Sequence, residues 1–334
     1  MKKNVIALAI ASAIAAPVAM ADAPTVYGQI NMSIDNVTDA GTSVNSNASR
    51  IGIKGSQDLG NGLKAVYKME WEADVAGGTN ATTTTTTFKD RNAYVGLAGG
   101  FGTVLMGRHD TPYKMSQATD MFNDGAGDNK PLAGKLGFGG KGGENRAANV
   151  LAYVSPSFGG VKIVAAGISP EATDTATQDT SLTDAYSIAA MYGSSKKGLF
   201  LSAAYDNFTD NLTGTKDYTE TRVSAQYATG GLVANAMYQN FDDGVTGDTA
   251  TEGSNIQANI GYTMGAFTPK AKYSSVDYKM STMKDAAGFG VGLDYSFGKK
   301  TTGYVEYVSL DKHMANNSLA KSMDTVSVGL LHKF

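Results

Sequence analysis

The stretch TVYGQINMSIDN, residues 25–36, alternates between apolar and polar side chains with a period of two. That period predicts a β-strand with one apolar and one polar face. In a soluble sandwich the apolar face would pack on a core, whereas in a membrane barrel it would face lipid and the polar face would line the interior. The even positions are Val26, Gly28, Ile30, Met32 and Ile34, and the odd positions are Tyr27, Gln29, Asn31, Ser33 and Asp35.

The same alternation recurs along the chain, for example in LKAVYKMEWEA (63–73), SNIQANIGY (254–262) and FGVGLDYSF (289–297). Sixteen such strands can be placed between residue 25 and the C-terminus. Short turns such as AGGFG alternate with longer polar connections such as DVAGGTNATTTTTT. This pattern predicts an all-β fold, a 16-stranded antiparallel transmembrane β-barrel with short periplasmic turns and long extracellular loops.

A soluble β-sandwich is the alternative fold, and two features favour the barrel over it. Aromatic residues such as Tyr67 and Trp71 stand on the apolar face near strand ends, as in the girdles of membrane barrels. The opposite face of that strand carries several charges, which suit a water-filled lumen. The last strand, DTVSVGLLHKF, ends on Phe334 in apolar parity, which resembles the closing segment of bacterial outer-membrane barrels.

The first 21 residues, MKKNVIALAIASAIAAPVAMA, read as an export signal. Lys2 and Lys3 precede a short apolar run, and Ala19 and Ala21 give the small-x-small pattern of a signal-peptidase site. We therefore expect a signal peptide at 1–21 and one barrel domain at 22–334. After residue 21 no apolar run approaches the ~20 residues that a membrane-spanning helix needs.

Composition excludes several classes of function. The chain has 28 Lys plus Arg and 31 Asp plus Glu; without Lys2 and Lys3 the balance is 26 against 31, a net charge of −5. Such a chain is not expected to bind nucleic acid. Cysteine is absent, so the exported protein folds without disulfides. The sequence indicates neither a cofactor nor a metal site.

Five segments carry a family resemblance: VYGQIN, SRIGIKGSQDLGNGLKAVYKME, KDRNAYVGLAGGFGTVLMGR, NRAANVLAYVSPSF and the terminal phenylalanine. From Thr25 to Phe334 the chain resembles the Gram-negative general diffusion porins. The resemblance implies a homotrimer in the bacterial outer membrane, in contact with lipid and lipopolysaccharide, that passes small hydrophilic solutes and ions. It also implies that the third extracellular loop folds into the barrel and narrows it.

In that family, basic side chains on the wall face acidic ones on the loop. The family's wall arginines correspond here to Arg50, Arg91 and Arg146, with Lys89 on the same face as Arg91. The inward loop would run from Asp110 to about Asn145, and a loop of that length is unusual unless it is functional. Asp120 and Asp124, at i and i+4, would share a face if YKMSQATDMF formed a short helix, so we expect them to be the acidic half of the constriction.

Two other functions stay open as alternatives, an outer-membrane barrel hydrolase and a surface adhesin or receptor whose pore is incidental. The chain has only three histidines, and strand parity directs His332 outward, so the pattern does not predict a Ser, His and acid cluster. The sequence therefore favours a channel without enzymatic activity.

Overall fold

The computed structural model describes residues 23–77, 88–134, 136–137, 140–169, 181–209, 217–245, 252–279, 283–315 and 322–334. The expected signal peptide, 1–21, lies outside the described residues. Within the described part of the chain the dominant feature is one antiparallel sheet of seventeen strand segments. The segments are β1 (Thr25–Val37), β2 (Gly41–Ser46), β3 (Arg50–Gly60), β4 (Leu63–Ala73), β5 (Phe88–Gly99), β6 (Gly102–Asp110), β7 (Arg146–Val154), β8 (Val161–Ile168), β9 (Ala185–Gly193), β10 (Gly198–Phe208), β11 (Tyr218–Thr229), β12 (Leu232–Asp242), β13 (Gly253–Tyr262), β14 (Phe267–Tyr278), β15 (Ala286–Ser296), β16 (Thr301–Leu310) and β17 (Met323–Lys333).

The sheet closes on itself because β1 pairs with β17, from Gln29 opposite Lys333 to Val37 opposite Thr325. On its other side β1 pairs first with β3 and then with β2. β2 and β3 are thus two halves of one barrel strand, interrupted where Ala48 takes a positive φ of 48°. Counted in this way the described segments form sixteen barrel strands, as the sequence predicts. Because the sheet is closed, the alternative prediction of a soluble β-sandwich is wrong.

The two faces of the strands separate as the alternation predicts. On β1 the side chain of Ile30 is 45 % exposed on the outer surface, whereas that of Asn31, the next residue, is 5 % exposed and points inward. On β15, Val291 is likewise exposed on the outer surface. An apolar outer band is what lipid requires, because the bilayer cannot hydrate a charge.

The connections differ in length between the two ends of the barrel. At one end the strands are joined by short turns, such as the two residues between β3 and β4, Asn61 and Gly62, which both adopt positive φ. At the other end most connections are longer, and the longest lies between β6 and β7. Helices are confined to the one-turn segments Pro112–Met115 and Lys312–Ala315 and a 3-10 turn at Pro131–Ala133 among the residues described. None of these is long and apolar enough to span a membrane.

The buried apolar core lies inside the barrel, between the long connection and the strand walls. Phe122, Leu132 and Leu136 of the connection are almost completely buried. They belong to one cluster with wall residues such as Val276 and Leu310. A sixteen-stranded barrel is too wide for its own side chains to fill, and here the connection occupies part of the interior.

Candidate functional site

The connection between β6 and β7, residues 111–145, lies against the inner wall of the barrel; we call it the inward loop. Its course is set by hydrogen bonds to inward-facing side chains of distant strands. The Tyr113 backbone N–H donates to the Ser187 hydroxyl at 3.0 Å, and the Thr119 N–H donates to the Gln226 side chain at 2.8 Å. The expected fold of this loop into the barrel is thus present in the structure.

The helix expected over YKMSQATDMF is confined to one turn. Thr111 caps that turn by accepting a hydrogen bond from the Lys114 N–H at 3.2 Å, and Pro112 occupies its first position. The turn ends at Met115, so Asp120 and Asp124 do not share a helical face. After Met115, wall side chains supply partners mainly for the backbone oxygens of the loop, whereas its N–H groups bond mostly within the loop.

The middle of the inward loop, residues 121–126, forms its tip. Asp124 lies in this tip and reaches the opposite wall. Its carboxylate forms an ion pair with the guanidinium of Arg50 on β3. Asp124 has a positive φ of 67°, and its N–H donates to the Asp128 carboxylate at 2.9 Å, so the tip is a tight turn. Burial raises the pKa of the Asp124 carboxyl, and the charge of Arg50 opposes that rise. The tip therefore joins one predicted acid to one predicted base across the lumen.

Asp120 occupies a different environment from Asp124. Its side chain is 2 % exposed and pairs with the ammonium of Lys272 on β14 at 2.9 Å. It also accepts hydrogen bonds from the N–H groups of Phe122 and Asn129, both at 2.9 Å. Burial raises the pKa of the Asp120 carboxyl, and Lys272 acts against this. Asp120 thus holds the loop, and of the two predicted acids it is Asp124 that faces the basic wall.

The predicted basic residues lie on the wall that the tip faces, and wall carboxylates accompany them. Arg91 donates from Nε to Glu70 at 2.7 Å and pairs through Nη1 with Glu72 at 3.1 Å. Lys89 lies 3.7 Å from the same Glu72 and is largely exposed to the lumen. Arg146 pairs with Asp110 at 2.9 Å at the end of β6. The wall is therefore an interleaved set of both signs.

Two of these carboxylates, Glu70 and Glu72, were not among the predicted site residues. Their even positions on β4 place them on the lumen face together with Lys68, which lies 3.2 Å from Glu70. The hydroxyl of Tyr27 also donates to Glu70 at 2.8 Å. Strand parity could have identified both as neighbours of the predicted bases.

Three buried cations on the wall were missed as well. Arg222 of β11 donates to the backbone oxygens of Tyr113 at 2.9 Å and of Gly142 at 3.3 Å, and so holds both stems of the inward loop. Its guanidinium also lies over the Tyr113 ring, 4.2 Å from the centroid. Lys272 of β14 is the second, and Lys270 on the same strand, which donates to the Met121 backbone oxygen at 2.8 Å, is the third. All three stand at inward parity on their strands, and this was the only signal in the sequence.

Beside the tip a cavity of about 220 Å³ opens between the inward loop and the part of the wall where β1 pairs with β17. Polar and charged groups dominate its lining; they include Gln29, Arg50, Asp124, Lys270, Tyr304 and Lys333. A cavity of this chemistry holds water and ions and disfavours apolar molecules. The arrangement thus places a polar, charged cavity beside the loop that narrows the barrel.

Comparisons with known proteins agree with this geometry. A family model described as Gram-negative porin matches residues 7–313. The major outer membrane protein P.IB of Neisseria meningitidis serogroup B is 28 % identical over 361 residues, with 100 % of both chains covered. Among solved structures, the anion-selective porin from Comamonas acidovorans has a TM-score of 0.74 at 21 % identity, covering 93 % of this chain and 99 % of that one. The trimer form of OmpT, an outer membrane protein of Vibrio cholerae, has a TM-score of 0.64 at 18 % identity, covering 94 % of this chain and 100 % of that one.

Proposed function

The chain belongs to the Gram-negative porin family, and on that premise we propose which of its residues select the solutes that pass. It is an outer-membrane protein that forms a water-filled channel for passive diffusion of small hydrophilic solutes and ions. Selection takes place where the tip of the inward loop meets the basic wall. The observation that carries the proposal is the ion pair between Asp124 on the tip and Arg50 on β3.

Selection at this point has a steric and an electrostatic component. The loop excludes part of the cross-section, which sets an upper limit on the size of the solute. Arg50, Lys89, Arg91 and Arg146 on the wall, with Asp124 opposite, set up a transverse field that is strong because the surrounding walls have a low dielectric constant. Dipolar solutes are oriented by this field, and apolar ones are disfavoured because they displace water that interacts with the charged groups and offer no interaction in its place. Glu70 and Glu72 weaken the positive side of the field near Arg91.

We propose that the channel assembles as a homotrimer in contact with lipid and lipopolysaccharide, after removal of residues 1–21. The trimer form of the Vibrio cholerae protein and the apolar outer band of the barrel support this assembly. We further propose that the protein catalyses no reaction. Family membership supports a channel over the hydrolase and over the adhesin or receptor with an incidental pore.

Reconstitution in a planar lipid bilayer tests the channel. We expect large and steady conductance steps with little preference among small solutes, and a reversal potential under a salt gradient that changes when Arg50 and Arg91 are replaced by alanine. Absence of conductance from correctly folded protein would contradict the channel. An unchanged reversal potential in the double variant would instead contradict only the assignment of the selecting residues.

A further inference from the structure

Lys272 of β14 is a completely buried cation whose hydrogen bonds lead to the inward loop. Its ammonium donates to the Asp120 carboxylate at 2.9 Å, to the Gly127 backbone oxygen at 2.9 Å and to the Asn129 side-chain oxygen at 2.6 Å. The side chain is 0 % exposed. A lysine ammonium has three donors, and the loop accepts from all three. The wall therefore contributes the ammonium group, and the inward loop contributes the three oxygens that accept its hydrogen bonds.

The three acceptors flank the tip of the loop. Asp120 precedes the tip residues 121–126, whereas Gly127 and Asn129 follow them, so Lys272 draws the two arms of the tip together. Asp120 strengthens this base, because its second carboxylate oxygen accepts from the Asn129 N–H at 2.9 Å. On the wall, Gln257 donates to the Asn129 backbone oxygen at 3.0 Å. The base of the tip is thus fixed to β13 and β14.

The far end of the tip meets the opposite wall through Asp124 and Arg50, and Lys270 of β14 donates to the Met121 backbone oxygen at 2.8 Å at the start of the tip. The tip therefore spans the lumen between the lysines of β14 at its base and Arg50 at its end. The cations at the base are buried, whereas Arg50 is partly exposed to the lumen. A buried ion pair is lost at a much greater cost than an exposed one, because the remaining partner stays in a low-dielectric site without compensation.

We propose that Lys272 is the positioning residue of the constriction: it fixes the base of the tip and so determines how far Asp124 extends over the lumen. This inference rests on the proposed selection at the tip. Removal of the ammonium leaves the Asp120 carboxylate buried without the Lys272 charge, which favours displacement of the tip toward water. The same geometry assigns Arg222 to the stems of the loop, away from the tip.

Single-channel recording of the Lys272→Met variant tests the proposal. Loss of one partner of a buried pair lowers the ratio of docked to displaced tip by roughly 100-fold or more. We expect this as additional conductance levels and altered dwell times at one voltage. Lys54→Met is the matched control, since Lys54 is an inward-facing lysine that lies over the Tyr27 ring rather than against the loop. That control is expected to change the reversal potential and to leave the current as steady as in the wild type.

A second variant keeps the test decisive if Lys272→Met folds poorly. Lys272→Met combined with Asp120→Asn removes the cation and the uncompensated carboxylate together, so we expect it to restore the yield of folded barrel but not the steady current. Lys272→Arg retains the positive charge, and we expect its current to be steadier than that of Lys272→Met. A folded double variant with wild-type conductance levels and dwell times would overturn the role of Lys272. If wild-type protein gave no conductance, the proposed function itself would fail.

Discussion

A charge transferred from the lumen face to the outer face of β3 tests the face assignment directly. Ile53 and Lys54 are neighbours on this strand; Ile53 is 38 % exposed on the outer surface, and Lys54 points into the lumen over the Tyr27 ring. Ile53 lies seven residues before Gly60, the end of the strand. At ~3.3 Å per residue and a tilt of ~45°, it stands about 16 Å from the turn along the barrel axis, a distance smaller than the ~30 Å thickness of a hydrocarbon core.

An outward lysine costs about 2 to 4 kcal/mol at the bilayer midplane, and the cost falls to about 1 kcal/mol or less at the interfaces. We therefore expect the folding equilibrium constant of Ile53→Lys to fall by up to roughly 1000-fold. The reciprocal change, Lys54→Ile, places an apolar side chain in the water-filled lumen and is expected to alter conductance with little effect on folding. The assay is urea-dependent folding into lipid vesicles, followed by the heat-modifiable mobility of the folded barrel in gel electrophoresis.

Equal folding of the two variants would refute the reasoning, since it would mean that β3 does not present Ile53 to a medium unable to hydrate a charge. A greater loss from Lys54→Ile than from Ile53→Lys would reverse the faces. The variant with both changes has the wild-type composition and net charge. We expect this double variant to fold as poorly as Ile53→Lys. That result would show that the position of the lysine, and not the number of charges in the chain, causes the defect.

Three further outcomes are expected. Replacement of both Arg50 and Arg91 by alanine is expected to shift the reversal potential toward cations and to leave the yield of folded barrel unchanged. A reduced yield of folded barrel would mean that these charges stabilise the structure. Burial raises the pKa of Asp124, so acidification neutralises this carboxylate at a pH above the ordinary carboxyl range and shifts the selectivity of the channel toward anions. We expect Asp124→Asn to show the same shift at neutral pH. In reversal-potential titrations that variant should lack the part of the pH dependence that Asp124 contributes. Gly28→Ala should reduce the yield of closed barrel in outer-membrane fractions, because its Cβ would lie 2.5 Å from the Arg50 backbone oxygen, whereas Gly100→Ala, in open space, should give the wild-type yield.

The strands and their faces could be predicted because side-chain alternation is a local property. Ile30 and Asn31 reveal their faces from their neighbours in sequence alone. The path of the inward loop is not local in this sense, since Lys272 meets Asp120 across 152 positions of the chain. Strand parity places Lys272 in the lumen, but it does not reveal that a loop covers it.

The same reason explains the outcome for the candidate site. The family resemblance implied Arg50, Lys89, Arg91 and Arg146 as wall residues, because each lies in or beside a sequence segment that carries that resemblance. Asp120 and Asp124 could not be distinguished, since their separation into an anchor and a tip depends on tight turns rather than on a helix. Those turns are held by carboxylates of the loop itself and by wall side chains that donate to its backbone oxygens, and the wall partners cannot be identified from a short window of sequence.

The pairing of β1 with β17 makes closure of the barrel a late event. The Gly28 N–H donates to the Phe334 oxygen at 3.3 Å, and the Phe334 N–H donates back to the Gly28 oxygen at 3.1 Å, so the two ends of the described barrel complete one ladder. Contacts of such sequence separation form slowly. Until they form, the chain is an open sheet with two unpaired edges, each a template for another strand. Cleavage of the last strand would therefore create a partner for other copies, as well as a leak in the pore.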